Sequence, residues 1–166
     1  MIDGLINMLK PPGITSHDLV DQVRGIFHMR RVGHTGTLDP AAAGVVIILL
    51  GRMTRLSPLL SGFTKTYRAE ITFGVTTNTL DGEGQVLTEV DASSLTAEQV
   101  AAQLLNLRGE LMLPPPAYSA VRQRGQRLYH KARRGERVEV EPRPMQVLRF
   151  DLVDFQPGPR PRALTR

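Results

Sequence analysis

An unbroken apolar run, VVIILL at residues 45–50, sits between Gly44 and Gly51 and limits the fold more than any other stretch of the sequence. A run of that length without a polar break, closed at both ends by glycine, reads as a buried strand. Extended back to Ala41 it is ten residues long, about half of the roughly 20 that a membrane-spanning helix needs. A buried strand requires a packed interior, and 166 residues with 41% hydrophobic side chains can supply one. That length accommodates one domain, or a part of one, and is too short for two ordinary ones.

The rest of the chain supplies both helix and strand patterns. Thr15 and Ser16 follow Pro11, Pro12 and Gly13, and Leu19, Val20, Val23, Ile26 and Phe27 then recur at helical spacing. This predicts a capped amphipathic helix ending near His28. Residues 68–73 alternate polar and apolar side chains, as do residues 86–90, with Asp81 and Gly82 in the polar stretch between them. The pattern predicts a hairpin with a long polar connection. Thr96 and Gln99 have capping-box spacing ahead of Val100, Leu104, Leu105 and Leu107, so a helix is expected over 96–107 with Gly109 as its stop. Leu148, Phe150 and Leu152 alternate with charged neighbours, which predicts a half-buried strand over 148–154 ahead of a proline-rich basic tail, residues 157–166. Helices and strands mix without a βαβ rhythm, so the expected class is α+β, a mixed, mainly antiparallel sheet with flanking helices.

Composition narrows the function. With no cysteine, neither a disulfide framework nor a thiolate metal site can form. His17, His28, His34 and His130 lack metal-ligand spacing. Nothing at the N-terminus resembles a signal peptide, and a cytoplasmic protein without membrane association is the expectation. Residues 1–121 carry 9 basic and 11 acidic side chains, a net −2, whereas residues 122–166 carry 12 basic and 5 acidic ones, a net +7. Such asymmetry points to a polyanionic partner, because each Lys or Arg placed on a phosphate releases a condensed counterion; a solvated face or tail is the simpler alternative.

One stretch has the composition of a reactive loop. GHTGTLDP, residues 33–40, holds two glycines, two threonines, a histidine and a carboxylate without one long side chain, so its backbone can approach a ligand closely. Taken alone it reads more readily as a structural turn in which Asp39, before Pro40, caps the next element. The GxxxxGK[ST] spacing of a phosphate-cradling loop is absent.

The ordered segments around that loop resemble the TruB family of pseudouridine synthases, and in particular its bacterial tRNA branch. KPPGITS (10–16), GHTGTLDP (33–40), KTYRAEITFG (65–74), TNTLDGEG (77–84), PPAYSAVRQRGQRLYHKARRG (115–135) and VEVEPRPM (138–145) follow one another as in that family. The resemblance implies a pseudouridine synthase catalytic fold acting on the T arm of tRNA. There the uridine at position 55 is flipped from the stack, its glycosidic bond is cleaved, and the base is re-attached through C5. Asp39 would be the catalytic carboxylate, as nucleophile or as stabiliser of charge at the sugar. Tyr67 would stack on the extruded base and assist proton removal at C5. His34 would hold the RNA open and Lys10 would contact it. The basic run that includes Arg122, Arg124, Arg127, Lys131, Arg133, Arg134 and Arg137, with Tyr129 inside it, would be an RNA-binding insertion at about 122–143 that closes over the T arm.

An isomerisation without redox change implies no metal or organic cofactor, and no obligate protein partner is expected. In this family the catalytic domain continues into a strand with a KGTYIR-like motif whose arginine pairs with the aspartate. Residues 1–166 are therefore expected to be the front part of that domain, without the C-terminal RNA-binding domain, inactive alone and prone to self-association through an uncovered sheet edge and apolar face. Two other functions fit parts of the sequence. A catalytically silent RNA-binding module would keep the basic run without needing Asp39, and a small-molecule enzyme built on residues 33–40 would show no salt-sensitive RNA binding.

Overall fold

The computed structural model describes residues 2–114 and 141–166, and between them the backbone of 122–123 and 126–127. The chain divides into two compact units, Met1–Lys65 and Thr66–Arg166, each with its own hydrophobic cluster.

In the first unit β1 (Gly4–Lys10), β2 (Val32–His34) and β3 (Gly44–Leu50) form an antiparallel sheet in the order β1-β3-β2. The apolar run is thus its central strand. Ile6 pairs with Ile48 and Met8 with Val46, so alternate residues of both strands share the face that α1 (Ser16–Phe27) covers with Leu19, Val20 and Val23. Helix α1 starts where the sequence predicts. The Thr15 hydroxyl accepts from the Asp18 amide, and the Asp18 carboxylate accepts from the Thr15 amide at 2.7 Å. That amide, followed by the Thr15 hydroxyl, holds the Asp18 carboxyl below its usual range. At the other end His28 takes a left-handed conformation, φ 50°.

Burial of the apolar run is one-sided at its start. Ile48 and Leu49 are fully buried, but Val45 is 67% exposed because it points away from α1, opposite the exposed Leu9 of β1. The run ends at Gly51, where φ is +57° and a Cβ would strike Asp3 and the Ile2 carbonyl, so only glycine fits. A 3-10 helix, Gly51–Leu56, and the short α2 (Ser57–Ser61) follow.

The second unit corrects three sequence expectations. Strand β4 (Ala69–Thr72) pairs with β12 (Arg162–Thr165) and not with β6 (Val86–Glu89), whose partner is β5 (Val75–Thr77). Gly74, at φ +81° with its would-be Cβ against the Val90 carbonyl, starts a new strand after β4, and alternation alone cannot reveal which strand is the partner. The strand expected over 148–154 starts only at Leu152, in β11 (Leu152–Gln156); residues 148–151 are not strand and follow β10 (Arg143–Val147), which pairs with β7 (Gly109–Leu113). Between β10 and β11 Arg108 reaches the Phe150 carbonyl and the Asp151 carboxylate, at 3.0 and 2.6 Å. The basic tail is a structural strand: β12 is central in the order β11-β12-β4, with Ala163 and Thr165 buried. Ala163 is small enough to let Val100 and Leu104 of α3 (Ala97–Asn106) pack against it. The capping box at Thr96 and Gln99 is formed, and α3 ends at Asn106, before Gly109, whose backbone (φ +95°) instead opens β7.

The whole has helices over antiparallel sheets, the α+β class expected. Among the described residues no helix is long and apolar enough to cross a membrane, and no cluster of three or more His, Cys, Asp or Glu side chains could hold a metal ion.

Ile48→Ala is expected to cost about 2–5 kcal/mol, through lost transfer energy and an unfilled cavity. Val45→Ala, on the open face, should cost less than about 1 kcal/mol. Urea unfolding midpoints of the two variants measure the difference.

Candidate functional site

The pleat of β1 sets the site. Ile6 and Met8 face α1, so Lys10, at the end of the same row, also points inward and is fully buried. Its strand partner is Gly44, which adds no side chain beside it. A buried ammonium has three donors to satisfy, and this one gives them to the carbonyls of Ile14 at 2.7 Å, Pro11 at 2.9 Å and Pro40 at 3.1 Å. Two of those carbonyls belong to KPPGITS itself, and the third belongs to the residue after Asp39. Lys10 therefore has no ammonium hydrogen left for RNA, and the contact expected of it is replaced by a tie between two loops.

Two more groups from the same motif complete the tie. The Gly13 amide donates to the Pro40 carbonyl at 2.8 Å. The Ser16 hydroxyl, buried at the first turn of α1, accepts from the Leu38 amide at 2.9 Å and donates to the Leu38 carbonyl at 3.4 Å. Asp39 is thus held on both sides. The Leu38 side chain packs onto the core, close enough to Gly44 that a Cβ there would meet it at 3.1 Å. With Leu38 turned in, Asp39 is turned out and exposed. The Ala42 amide donates to the Asp39 carbonyl at 3.0 Å, which closes a turn with proline at its second position, the place that the fixed φ of proline favours. Among the described residues no hydrogen bond or ion pair reaches the Asp39 carboxylate.

The front of the loop is pinned as well. β2, part of what the sequence presents as a turn-rich stretch, pairs with β3 through His34 opposite Ile48, and the Thr35 amide extends the ladder to the Ile47 carbonyl at 3.1 Å. Ser57 and Ser61 of α2 donate to the His34 and Thr35 carbonyls at 3.0 and 2.5 Å. His34 Nδ1 lies 2.8 Å from the Gly36 carbonyl. A carbonyl can only accept, so this contact puts the proton on Nδ1 and leaves Nε2 as an acceptor in the neutral ring. The first unit therefore brings together Lys10, His34 and Asp39 in one hydrogen-bonded loop system.

Tyr67 belongs to the second unit, two residues before β4, and is 58% exposed, with its ring available to a planar partner. Of the basic run, Arg122 and Arg127 lie opposite each other in the short hairpin β8 (Arg122–Gln123) and β9 (Gln126–Arg127). Arg124, Tyr129, Lys131, Arg133, Arg134 and Arg137 lie outside the described residues. Sequence reasoning passed over Ser16 and Gly13. Their signal was present in the serine that opens α1 and the glycine after two prolines, but it became legible only through partners more than twenty residues away.

The model of the family described as TruB family pseudouridylate synthase (N terminal domain) matches residues 24–164. A tRNA pseudouridine synthase B of Symbiobacterium thermophilum is 52% identical over 162 residues, covering 98% of this chain and 54% of the relative. The protein of the same name from Caldanaerobacter subterraneus is 44% identical, covering 93% and 54%. The chain thus spans about half the length of these relatives. Among solved structures, a Cbf5-Nop10-Gar1 complex aligns with 98% of the chain and 39% of its own at TM-score 0.57 and 23% identity. The structure of an H/ACA RNP bound to a substrate RNA aligns at 0.52 and 20%. At such identities these two support the fold.

Replacing Lys10 by Met removes the ammonium donor from three carbonyls, of which only that of Pro40 keeps another, the Gly13 amide. The expected cost is about 2 kcal/mol or more, as for hydrogen bonds to a charged group, with faster amide exchange at Gly13. Ser16→Ala should cost about 1 kcal/mol and speed exchange of the Leu38 amide. Urea unfolding and amide-exchange NMR read both, and an unchanged Leu38 amide would mean that the serine does not hold the loop.

Proposed function

Because the chain belongs to the TruB family of pseudouridylate synthases, we propose that it supplies the carboxylate-bearing part of a tRNA pseudouridine synthase that isomerises the T-loop uridine at position 55. The observation that carries this is Asp39 itself: an exposed carboxylate with no partner among the described residues, between two backbone groups fixed by Lys10, Gly13 and Ser16. A nucleophile held in position lowers the barrier by saving orientational entropy at the moment of reaction.

The target base is flipped out of the RNA, since its glycosidic bond is inaccessible in the stack. Asp39 attacks the ribose C1′ or stabilises positive charge there as the C1′–N1 bond breaks. The freed uracil turns and its C5 bonds to C1′ as any bond between C1′ and Asp39 breaks and releases the carboxylate; the C5 proton leaves and N1 takes up a proton, so the product is an isomer of the substrate. Tyr67 offers a face for the extruded ring and a hydroxyl near the departing proton. His34, at the mouth of the same loop, fills space vacated by the base. The basic run around Arg122, Arg127, Lys131, Arg133 and Arg134 contacts the phosphates of the T arm. The supporting facts are the family membership, the names of the relatives and the composition of that run.

In a chain of the relatives' full length, Asp39→Asn should abolish release of the C5 hydrogen from uridine in a T-arm stem-loop while leaving RNA affinity within a few-fold, because the amide keeps the shape and loses the charge. Appreciable turnover by this variant would remove Asp39 from the mechanism. Tyr67→Leu should bind flipped-base RNA more weakly than Tyr67→Phe, by roughly 1–3 kcal/mol of stacking. Equal binding by the two would exclude a stacking role.

A further inference from the structure

The loop at 33–40 is held by two sets of hydrogen bonds that share no group. At its far end the Leu38 amide and the Pro40 carbonyl are engaged by Ser16, Gly13 and Lys10. At its near end the His34 and Thr35 carbonyls accept from the hydroxyls of Ser57 and Ser61, at 3.0 and 2.5 Å. Gly36 and Thr37 lie between. Among the described residues their one hydrogen bond is that of the Gly36 carbonyl with the His34 ring, and a Cβ at Gly36 would meet nothing within 4 Å. The two anchored ends are thus joined by a segment with few partners of its own.

The near anchor has a physical reason. β2 lies at the edge of its three-stranded sheet, where backbone groups lack a neighbouring strand to bond, and α2 supplies the donors instead. Ser57 and Ser61 stand four residues apart on α2, so their hydroxyls share one face of it. The helix is itself fixed at both ends. It continues the 3-10 helix, whose first amide, Gly51, donates to the Arg31 carbonyl at 2.9 Å just before β2, and the carbonyl of its last residue, Ser61, accepts from Lys65 Nζ at 2.6 Å.

We infer that Ser57 and Ser61 are positioning residues for His34, so that α2 sets how readily the RNA is opened while Lys10, Gly13 and Ser16 set the chemical step at Asp39. The inference rests on the function proposed above, in which His34 fills the space that the extruded base leaves. The ring's bond to Gly36 orients the imidazole within its own loop but does not place the loop. That placement comes from α2. A ring carried on a loosened strand edge would have to be ordered at the moment of insertion, and this cost falls on extrusion of the base. It does not fall on bond breaking once the base is out.

The test is release of the C5 hydrogen, by a chain of the relatives' full length, from two RNAs. One is a folded T-arm stem-loop, whose uridine must be extruded; the other is an unstructured oligonucleotide of the same loop sequence, whose uridine is already unstacked. For the double variant Ser57→Ala, Ser61→Ala the ratio of turnover on folded RNA to turnover on open RNA should fall about tenfold, as for two neutral hydrogen bonds. Ser16→Ala should slow both RNAs by the same factor and leave the ratio as it was. Ser61→Thr keeps a hydroxyl at an exposed position and should keep the ratio. Where the double variant does not fold, Ser61→Ala alone reads the same property, with a fall of about threefold. A general loss of structure would slow both RNAs together. An unchanged ratio in the α2 variants therefore overturns the inference and leaves the function standing, as does an equal fall in Ser16→Ala. Failure of the unmodified protein to release the hydrogen from either RNA overturns both.

Discussion

A buried ammonium organises the functional half of this structure. Lys10 sits at the last inward position of β1, and a charge in that place is tolerated only when every N–H has an acceptor. The three carbonyls that satisfy it come from the chain that follows and from the turn after Asp39. Electrostatic necessity at the strand end therefore becomes geometric control of a loop thirty residues away. The long-range hydrogen bonds of Ser16 and Gly13 act on the same two residues flanking Asp39, so the loop is held by three independent groups from one short motif.

That arrangement separates support from exposure. Leu38 contributes its side chain to the core and its backbone to Ser16, which turns the next residue outward. A reactive carboxylate needs both conditions at once: a fixed backbone, to save orientational entropy, and an open side chain, to meet its target. The short side chains of residues 33–40 are the complement of this design. With little bulk of its own, the loop takes its rigidity from α2, from β3 and from the KPPGITS motif.

Charge is distributed to match. The first unit is net positive, residues 66–121 are net negative, and the remaining positive charge is concentrated beyond residue 121. In the second unit Arg162 and Glu70 cross-link the paired strands β12 and β4.

What the sequence determined by itself is the local grammar. The cap of α1 and the capping box of α3, the buried strand of the first unit and the glycine that ends it, and the ordered motifs of the family were legible because each rests on residues within a few positions of one another. The tertiary structure alone decided the partners. Alternation placed β4 and β6 as strands yet paired them wrongly, since period-2 patterning carries no address for a neighbour ninety residues along. The basic tail looked like a solvated end because arginine and proline outnumber its apolar residues; it is the central strand between β11 and β4, with Ala163 buried against Val100 and Leu104 of α3. Lys10 was expected to contact RNA because its motif resembles the family's first one. The pleat of β1 turned it inward, and only the fold could bring it the carbonyl of Pro40.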